Sequence, residues 1–91
     1  MNSQQRRTLA RVLAEPAPAD LRWRDIDTLL RALGADISKG SGSRVRVALG
    51  GVRAVFHRPH PGPNAKRSLV RAVRDFLIAA AVTAPKEHDD A

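Results

Sequence analysis

The chain of 91 residues contains no cysteine, two phenylalanines and one tryptophan. The absence of cysteine excludes a disulfide framework, a thiolate metal site and a cysteine nucleophile. With so few aromatic residues, the core has to come mainly from Leu, Val, Ile and Ala. No apolar run approaches the length of a membrane span, and the first residues lack a signal-peptide pattern. We therefore expect a cytoplasmic protein that does not contact membranes.

Clusters of metal ligands are also missing from the sequence. Four of the seven aspartates are scattered over three segments, namely Asp25, Asp27, Asp36 and Asp75. No carboxylate or histidine set has the spacing of a metal site, so we expect neither a metal nor another cofactor. The stretch Gly40-Ser41-Gly42-Ser43 lacks the following lysine and helix of a nucleotide-binding loop, which favours a hinge or bulge.

Positive charge is what the chain has in excess. Sixteen basic residues face nine acidic ones, which gives a net charge of +7. Arginine outnumbers lysine thirteen to three, and its planar guanidinium can grip a phosphate or carboxylate in two places. A balance of this sign favours nucleic acid or an acidic protein as the partner. Alternatively, the basic residues form an ordinary solvated surface, and GC-rich coding favours arginine over lysine. This alternative explains the ratio of arginine to lysine well but the net charge poorly.

Periodicity and turn residues predict an α+β fold. Apolar spacing of three and four residues predicts helices over residues 3–14, 23–33 and 65–81, with Asn64 as the N-cap of the last one. A short strand is expected over 35–38, followed by two alternating strands over 44–49 and 52–57. We divide the chain into an N-terminal helix with its connector (1–20), a main domain (21–82) and a flexible tail (83–91).

The two alternating strands define a β-hairpin. Gly50-Gly51 forms a two-residue turn, which places Leu49 opposite Val52 and, at the far end, Arg44 opposite His57. One face of this hairpin is then wholly apolar and must be covered by helices. The other face is mostly basic. Its members are Arg44, Arg46, Ala48, Arg53, Val55 and His57.

Polar residues outside and apolar residues inside are typical of any half-buried hairpin, so the alternation by itself indicates no function. The sign of the charge is less ordinary, because three arginines and a histidine share the outer face of the hairpin with no acid among them. Like charges opposed across strands are unfavourable unless an anion meets them. The pattern therefore indicates a face that contacts phosphate or an acidic partner.

The order of elements, together with several short motifs, resembles the HicA family of bacterial toxins. The motifs are LLRALGA at the end of a helix, KGSGSR entering the second strand, FHRPHPG after the third, and the closing helix KRSLVRAVRDFL. The resemblance covers about residues 23–82 and leaves the first helix outside. It implies a fold like that of double-stranded-RNA-binding domains: a three-stranded antiparallel sheet with helices packed on one face, here preceded by an extra helix.

The resemblance also implies an activity. HicA toxins are metal-independent endoribonucleases that cut mRNA, and a cognate antitoxin of the HicB type covers their active face. The family relies on a histidine directly after Gly-Ser at the start of the second strand, and here Gly42-Ser43 is followed by Arg44. Because arginine keeps its proton, it cannot act as an ordinary general base.

The hairpin register offers a replacement for the missing histidine. His57 is expected opposite Arg44, where it could move the proton while Arg44 holds the phosphate, and His60 is a second candidate base. Alternatively, His57 merely closes a strand and His60 belongs to a proline-shaped turn. His88, in the acidic tail, is expected to be inert. Further basic residues are candidates for RNA binding, namely Lys39, Arg46, Arg53, Arg58, Lys66 and Arg67.

Two other functions fit the same features. The chain could be a non-catalytic RNA-binding module that recognises shape and phosphate, or a basic interaction protein for an acidic partner. The sequence also leaves open whether the chain forms a homo-oligomer.

Overall fold

The computed structural model describes residues 1–60 and 62–83. Most of the tail predicted to be flexible, including His88, lies outside this part of the chain. The structure contains three helices, α1 (Ser3–Val12), α2 (Trp23–Ala32) and α3 (Arg67–Ala79), and three strands, β1 (Asp36–Lys39), β2 (Arg44–Leu49) and β3 (Val52–His57). The strands form one antiparallel sheet in the order β1-β2-β3.

The β2–β3 hairpin has the predicted register. Gly50 and Gly51 have φ angles of 56° and 82°, a left-handed conformation that a β-carbon would disfavour. Leu49 pairs with Val52 and Arg44 with His57, and the four pairs between them also match the prediction. A slip of one residue would reverse every side chain, so this register decides which face of the sheet is basic.

The helices pack on the apolar face of the sheet. Val45 and Val47 of β2 and Phe56 of β3 are buried in one core with residues from all three helices. The ring of Phe56 makes edge-on contacts with Trp23 of α2 at 6.4 Å and with Phe76 of α3 at 5.8 Å between ring centroids. The few aromatic side chains therefore join one strand to two helices. This arrangement confirms the predicted α+β class and leaves the opposite sheet face uncovered by the described chain.

Helix α1 is part of the same core. Asn2 caps it by accepting a hydrogen bond from the backbone N–H of Gln5, and the Gln5 side chain accepts one in return from the backbone of Asn2. Leu9 and Val12 are buried against the rest of the protein. None of the helices within residues 1–60 and 62–83 is long and apolar enough to cross a membrane.

Helix α3 starts two residues later than the sequence predicted. Asn64 does not cap it but forms a β-bridge with Arg22, and Lys66 occupies the N-cap position. Two further bonds hold the same segment against the start of α2. Ala65 N–H donates to the Leu21 carbonyl at 2.7 Å, and Trp23 N–H donates to the Pro63 carbonyl at 2.9 Å. The prediction of an Asn64 cap was wrong because tertiary pairing engages this residue and fixes where α3 begins.

Candidate functional site

The open face of the sheet presents the predicted basic residues. Arg44, Arg46, Arg53 and His57 are all exposed, and their neighbours in sequence turn toward the helices. Val55 lies among them with 52% of its surface exposed, which is high for a valine. The face therefore combines cationic side chains with an exposed apolar side chain on the edge strand β3.

Strand β1 modifies this face in a way that the hairpin alone does not reveal. Asp36 pairs with Ala48, and Ser38 pairs with Arg46, so the side chains of Asp36 and Ser38 also lie on the open face. A hollow of about 530 Å³ is lined by these two residues together with Arg46 and Arg53. Asp36 therefore places one carboxylate on the open face near the Gly50-Gly51 turn. At the other end of the hairpin, the register pairs two basic residues, Arg44 and His57.

Arg44 and His57 are direct cross-strand partners, as predicted. The pairing continues one step further, because Arg58 N–H donates to the Ser43 carbonyl at 2.9 Å. The pair is thus held inside the hydrogen-bonded ladder, and opposed side chains in such a ladder are close enough to act on one ligand. Both side chains are exposed, so a ligand on the open face can reach them.

A groove between β3 and the start of α3 collects both candidate histidines. It has a volume of about 410 Å³ and is lined by His57, His60 and Lys66, with Asn64 and Ser68 also at its wall. Its apolar lining includes Phe56, Leu69 and Ala72. Basic residues thus meet an apolar surface, a mixture typical of pockets that hold a ligand in one orientation. The sequence indicated the histidines but not this groove, which forms only when α3 packs along β3.

Lys39 lies apart from the other predicted RNA-binding residues. It pairs with Val45, so its side chain is on the helix side of the sheet. There it lines a smaller hollow of about 260 Å³ together with Arg31 and Arg58. Arg58 also lines the groove with the histidines, so it bridges the two regions. A role for Lys39 in RNA binding remains a prediction, but the structure separates it from the open face.

Arg67 and Lys66 also differ in their surroundings, although they are neighbours in sequence. The guanidinium Nε of Arg67 donates to the carbonyl of Ala17 at 2.9 Å, so it is engaged by the connector that follows α1. Both residues are exposed, but only Lys66 of the two lines the groove. Of the two, Lys66 is better placed to meet a phosphate next to the histidines. Within residues 1–60 and 62–83 there is no group of three or more His, Cys, Asp or Glu side chains that could hold a metal ion.

Comparison with protein families identifies the family of the chain. A family model described as the HicA toxin of bacterial toxin–antitoxin matches residues 23–81. This match spans more than half of the chain, and the chain belongs to the HicA toxin family. The membership makes it the toxin member of a toxin–antitoxin pair. No curated protein and no solved structure matches the chain significantly. Helix α1 lies outside the matched region although it shares the core.

Proposed function

We propose that this protein is an RNA-binding toxin that cleaves mRNA as an endoribonuclease without requiring a metal, and that a cognate antitoxin neutralises it by covering the catalytic surface. The observation that carries the proposal is the position of His57. It is the cross-strand partner of Arg44 on the basic face and also lines the groove that contains His60 and Lys66. The side chain of His57 therefore belongs both to the basic open face of the sheet and to the wall of the groove.

The chemistry that fits this arrangement is cleavage of RNA by its own 2′-hydroxyl. A histidine accepts the proton of the 2′-hydroxyl, the 2′-oxygen forms a bond to phosphorus, and the bond from phosphorus to the 5′-oxygen breaks. A second group delivers a proton to the leaving 5′-oxygen. The products are a 2′,3′-cyclic phosphate and a 5′-hydroxyl. We assign the base to His57 and the proton donor to His60.

Arginine and lysine at the same place stabilise the reacting phosphate. Charge builds on the non-bridging phosphate oxygens as the phosphorus becomes five-coordinate, and fixed cations lower the energy of that state. Arg44 approaches from the second strand and Lys66 from the start of α3. In this assignment Arg44 contributes charge at the position where the family has its histidine, and the proton transfer moves to His57.

A second candidate function is RNA binding without cleavage. It is favoured by one observation, the presence of arginine where the family relies on histidine. The basic face would then recognise the shape and phosphates of RNA, as double-stranded-RNA-binding domains do. Both functions predict that the protein binds RNA, but only the first predicts that the RNA is cleaved.

The deciding experiment incubates the purified full chain with a labelled single-stranded RNA in the presence of a chelator. We expect cleavage with cyclic-phosphate ends, loss of cleavage by at least about a hundredfold in His57→Ala, and a smaller loss in His60→Ala. His88→Ala is the matched control for removal of a histidine and should cleave like the wild type.

Two results would contradict this proposal. Binding of RNA with no cleavage would select the non-catalytic function. Cleavage that survives in His57→Ala at the wild-type rate would show that the base is elsewhere. A parallel test in cells, scoring growth arrest and mRNA decay after induction of each variant, links the chemistry to toxicity.

A further inference from the structure

The hydrogen-bond pattern of the hairpin shows which backbone groups of β3 point away from the sheet. Opposed residues in an antiparallel pair alternate between hydrogen-bonded and non-hydrogen-bonded pairs. The backbone N–H of Arg58 donates to the carbonyl of Ser43, so these two residues form a hydrogen-bonded pair just beyond the end of the hairpin. Every second residue of β3 counted back from Arg58 is then also bonded to β2, and the last of them is Val52 next to the turn. The intervening residues Arg53, Val55 and His57 direct their N–H and C=O groups outward.

This outward side of β3 is a strand edge. Among the residues that the structure describes, the sheet order is β1-β2-β3, so β3 has a strand neighbour on one side only. In the described part of the chain, backbone hydrogen bonds outside the regular elements do not involve Arg53, Val55 or His57. A row of exposed backbone donors and acceptors of this kind is a template on which another strand can pair.

The groove described above lies beside the same edge. Val55, Phe56 and His57 of β3 form one wall, and Leu69 and Ala72 of α3 belong to the other side. An edge strand flanked by a helix with an apolar groove between them is the geometry in which extended peptides bind by strand addition. Backbone hydrogen bonds then provide affinity, and alternate side chains of the peptide enter the groove.

We propose that the edge of β3 and its groove bind an extended, acidic segment of the antitoxin as a fourth strand of the sheet. This inference rests on the proposed function insofar as the partner is the neutralising antitoxin. The chemistry of the segment follows from the two faces of the sheet. On the open face its side chains would lie beside Arg53, Val55 and His57, which calls for carboxylates. On the helix side they would enter the groove beside Leu69 and Ala72, which calls for apolar residues.

A peptide fits the edge better than RNA does. Edge amides and carbonyls at every second residue match the repeat of another strand, whereas RNA would be held through its phosphates by the side chains of the open face. A segment bound in this way would also occupy the groove next to His57 and His60. Strand addition thereby explains how an antitoxin could inactivate the toxin by covering its proton-transfer groups.

The test uses the full chain labelled with ¹⁵N and a defined probe, a capped hexapeptide in which glutamate alternates with leucine. We expect saturable binding, with the amides of Arg53, Val55 and His57 gaining protection from hydrogen exchange. The amides of Ile37 and Lys39, at the opposite edge of the sheet, should remain unchanged. A peptide with lysine in place of glutamate should bind at least about tenfold more weakly because it meets the same arginines.

Two variants separate the backbone from the side chain. Val55→Pro removes an outward N–H, which an edge strand tolerates because the bonds to the neighbouring strand are kept. It should weaken peptide binding by about tenfold or more, whereas Val55→Thr, which keeps the N–H and the branched shape, should change it by less than about threefold. Arg53→Glu, which leaves the backbone intact, should reverse the preference between the glutamate and lysine peptides.

Several outcomes would overturn the inference. These are no saturable peptide binding, protection at the β1 edge instead of the β3 edge, or equal binding by Val55→Pro and the wild type. Protection of the β3 amides by an RNA oligonucleotide but not by the peptide would likewise assign the edge to RNA. The readout is independent of RNA cleavage, so an inactive enzyme that binds the peptide would contradict only the proposed function.

Discussion

The Nε of Arg67 donates a hydrogen bond to the carbonyl oxygen of Ala17, fifty residues earlier in the chain. Ala17 is buried, and it lies in the connector between α1 and α2. An ion pair between Arg74 and Glu15 ties the same connector to the middle of α3. The connector after α1, which lies before the family-matched region, is therefore joined to the helix that forms one wall of the groove.

The first prediction concerns the stability that α1 contributes. Leu9 is 2% exposed, and Leu9→Ala would leave a cavity between α1 and the other helices. We expect it to lower the free energy of unfolding by about 2–5 kcal/mol. Chemical denaturation followed by circular dichroism measures this change. Arg7→Ala, at an exposed position of the same helix, is the control and should change stability by less than about 0.5 kcal/mol.

Equal stabilities of Leu9→Ala and Arg7→Ala would show that α1 is not packed as described. If instead both the stability and the cleavage activity fall only in Leu9→Ala, α1 supports the groove through the core.

A second prediction follows from the ion pair between Arg11 and Asp20. The hydrogen bond and the charge of Arg11 hold the pKa of the Asp20 carboxyl below its ordinary value of 3.8. A carboxyl with a lowered pKa stabilises the fold above the ordinary value, and this contribution is lost as the pH falls through the lowered one. Since the pair is exposed, the effect should be small and should weaken with salt.

The comparison of wild type with Asp20→Asn checks this sign. The wild type should have the higher denaturation midpoint at neutral pH, and the two midpoints should converge as the pH falls below 3.8. Asp36→Asn is the control, because this exposed carboxylate forms no salt bridge within residues 1–60 and 62–83. A difference for Asp20→Asn that grows on acidification would contradict the assigned direction of the pKa shift.

The hairpin and its basic face were predictable because short-range rules determine them. A two-residue glycine turn fixes the register, and strict alternation then sorts Arg46 and Arg53 onto one face and Val45 onto the other. Local spacing also predicted the apolar stripes of the helices. These features depend on residues that are close in sequence, so tertiary packing had little opportunity to alter them.

The groove and the start of α3 were not predictable in the same way. Asn64 has the chemistry of an N-cap, but its pairing with Arg22 depends on a segment about forty residues away. Likewise, β1 brings Asp36 to a face whose hairpin residues include no acid, and only the pairing with Ala48 reveals this. Such long-range contacts decide the shape of the groove, and a single sequence contains no direct record of them.

A third prediction addresses RNA affinity on the open face. Arg46→Ala and Arg53→Ala each remove one cation, so each should weaken RNA binding and reduce the slope of log affinity against log salt by about 1. Titration of a fluorescent RNA at several salt concentrations measures both quantities. Arg7→Ala removes the same charge from α1, which packs on the other helices, and should leave the slope unchanged. If the slope of log affinity against log salt were the same in all three variants as in the wild type, RNA would bind elsewhere on the protein.

The last prediction tests whether His57 supplies the proton transfer, and Arg44 the positive charge, that would otherwise come from a histidine at position 44. If His57 is the base, His57→Ala lacks that proton acceptor but keeps the arginines of the open face and the strand position next to Gly42-Ser43. Arg44→His in that background restores a histidine at the family position, and we expect cleavage to recover by at least about tenfold over His57→Ala. The measurement is the rate of RNA cleavage by the double variant.

The control for this rescue is Arg44→Gln in the same His57→Ala background, which removes the charge without supplying a base and should remain inactive. Recovery in the histidine variant alone would mean that the two cross-strand positions address the same reacting phosphate, since a base at either one suffices. Failure of Arg44→His to rescue, with RNA affinity retained, would contradict this equivalence. The base would then have to stand at position 57 beside the groove, and a histidine on the neighbouring strand could not replace it.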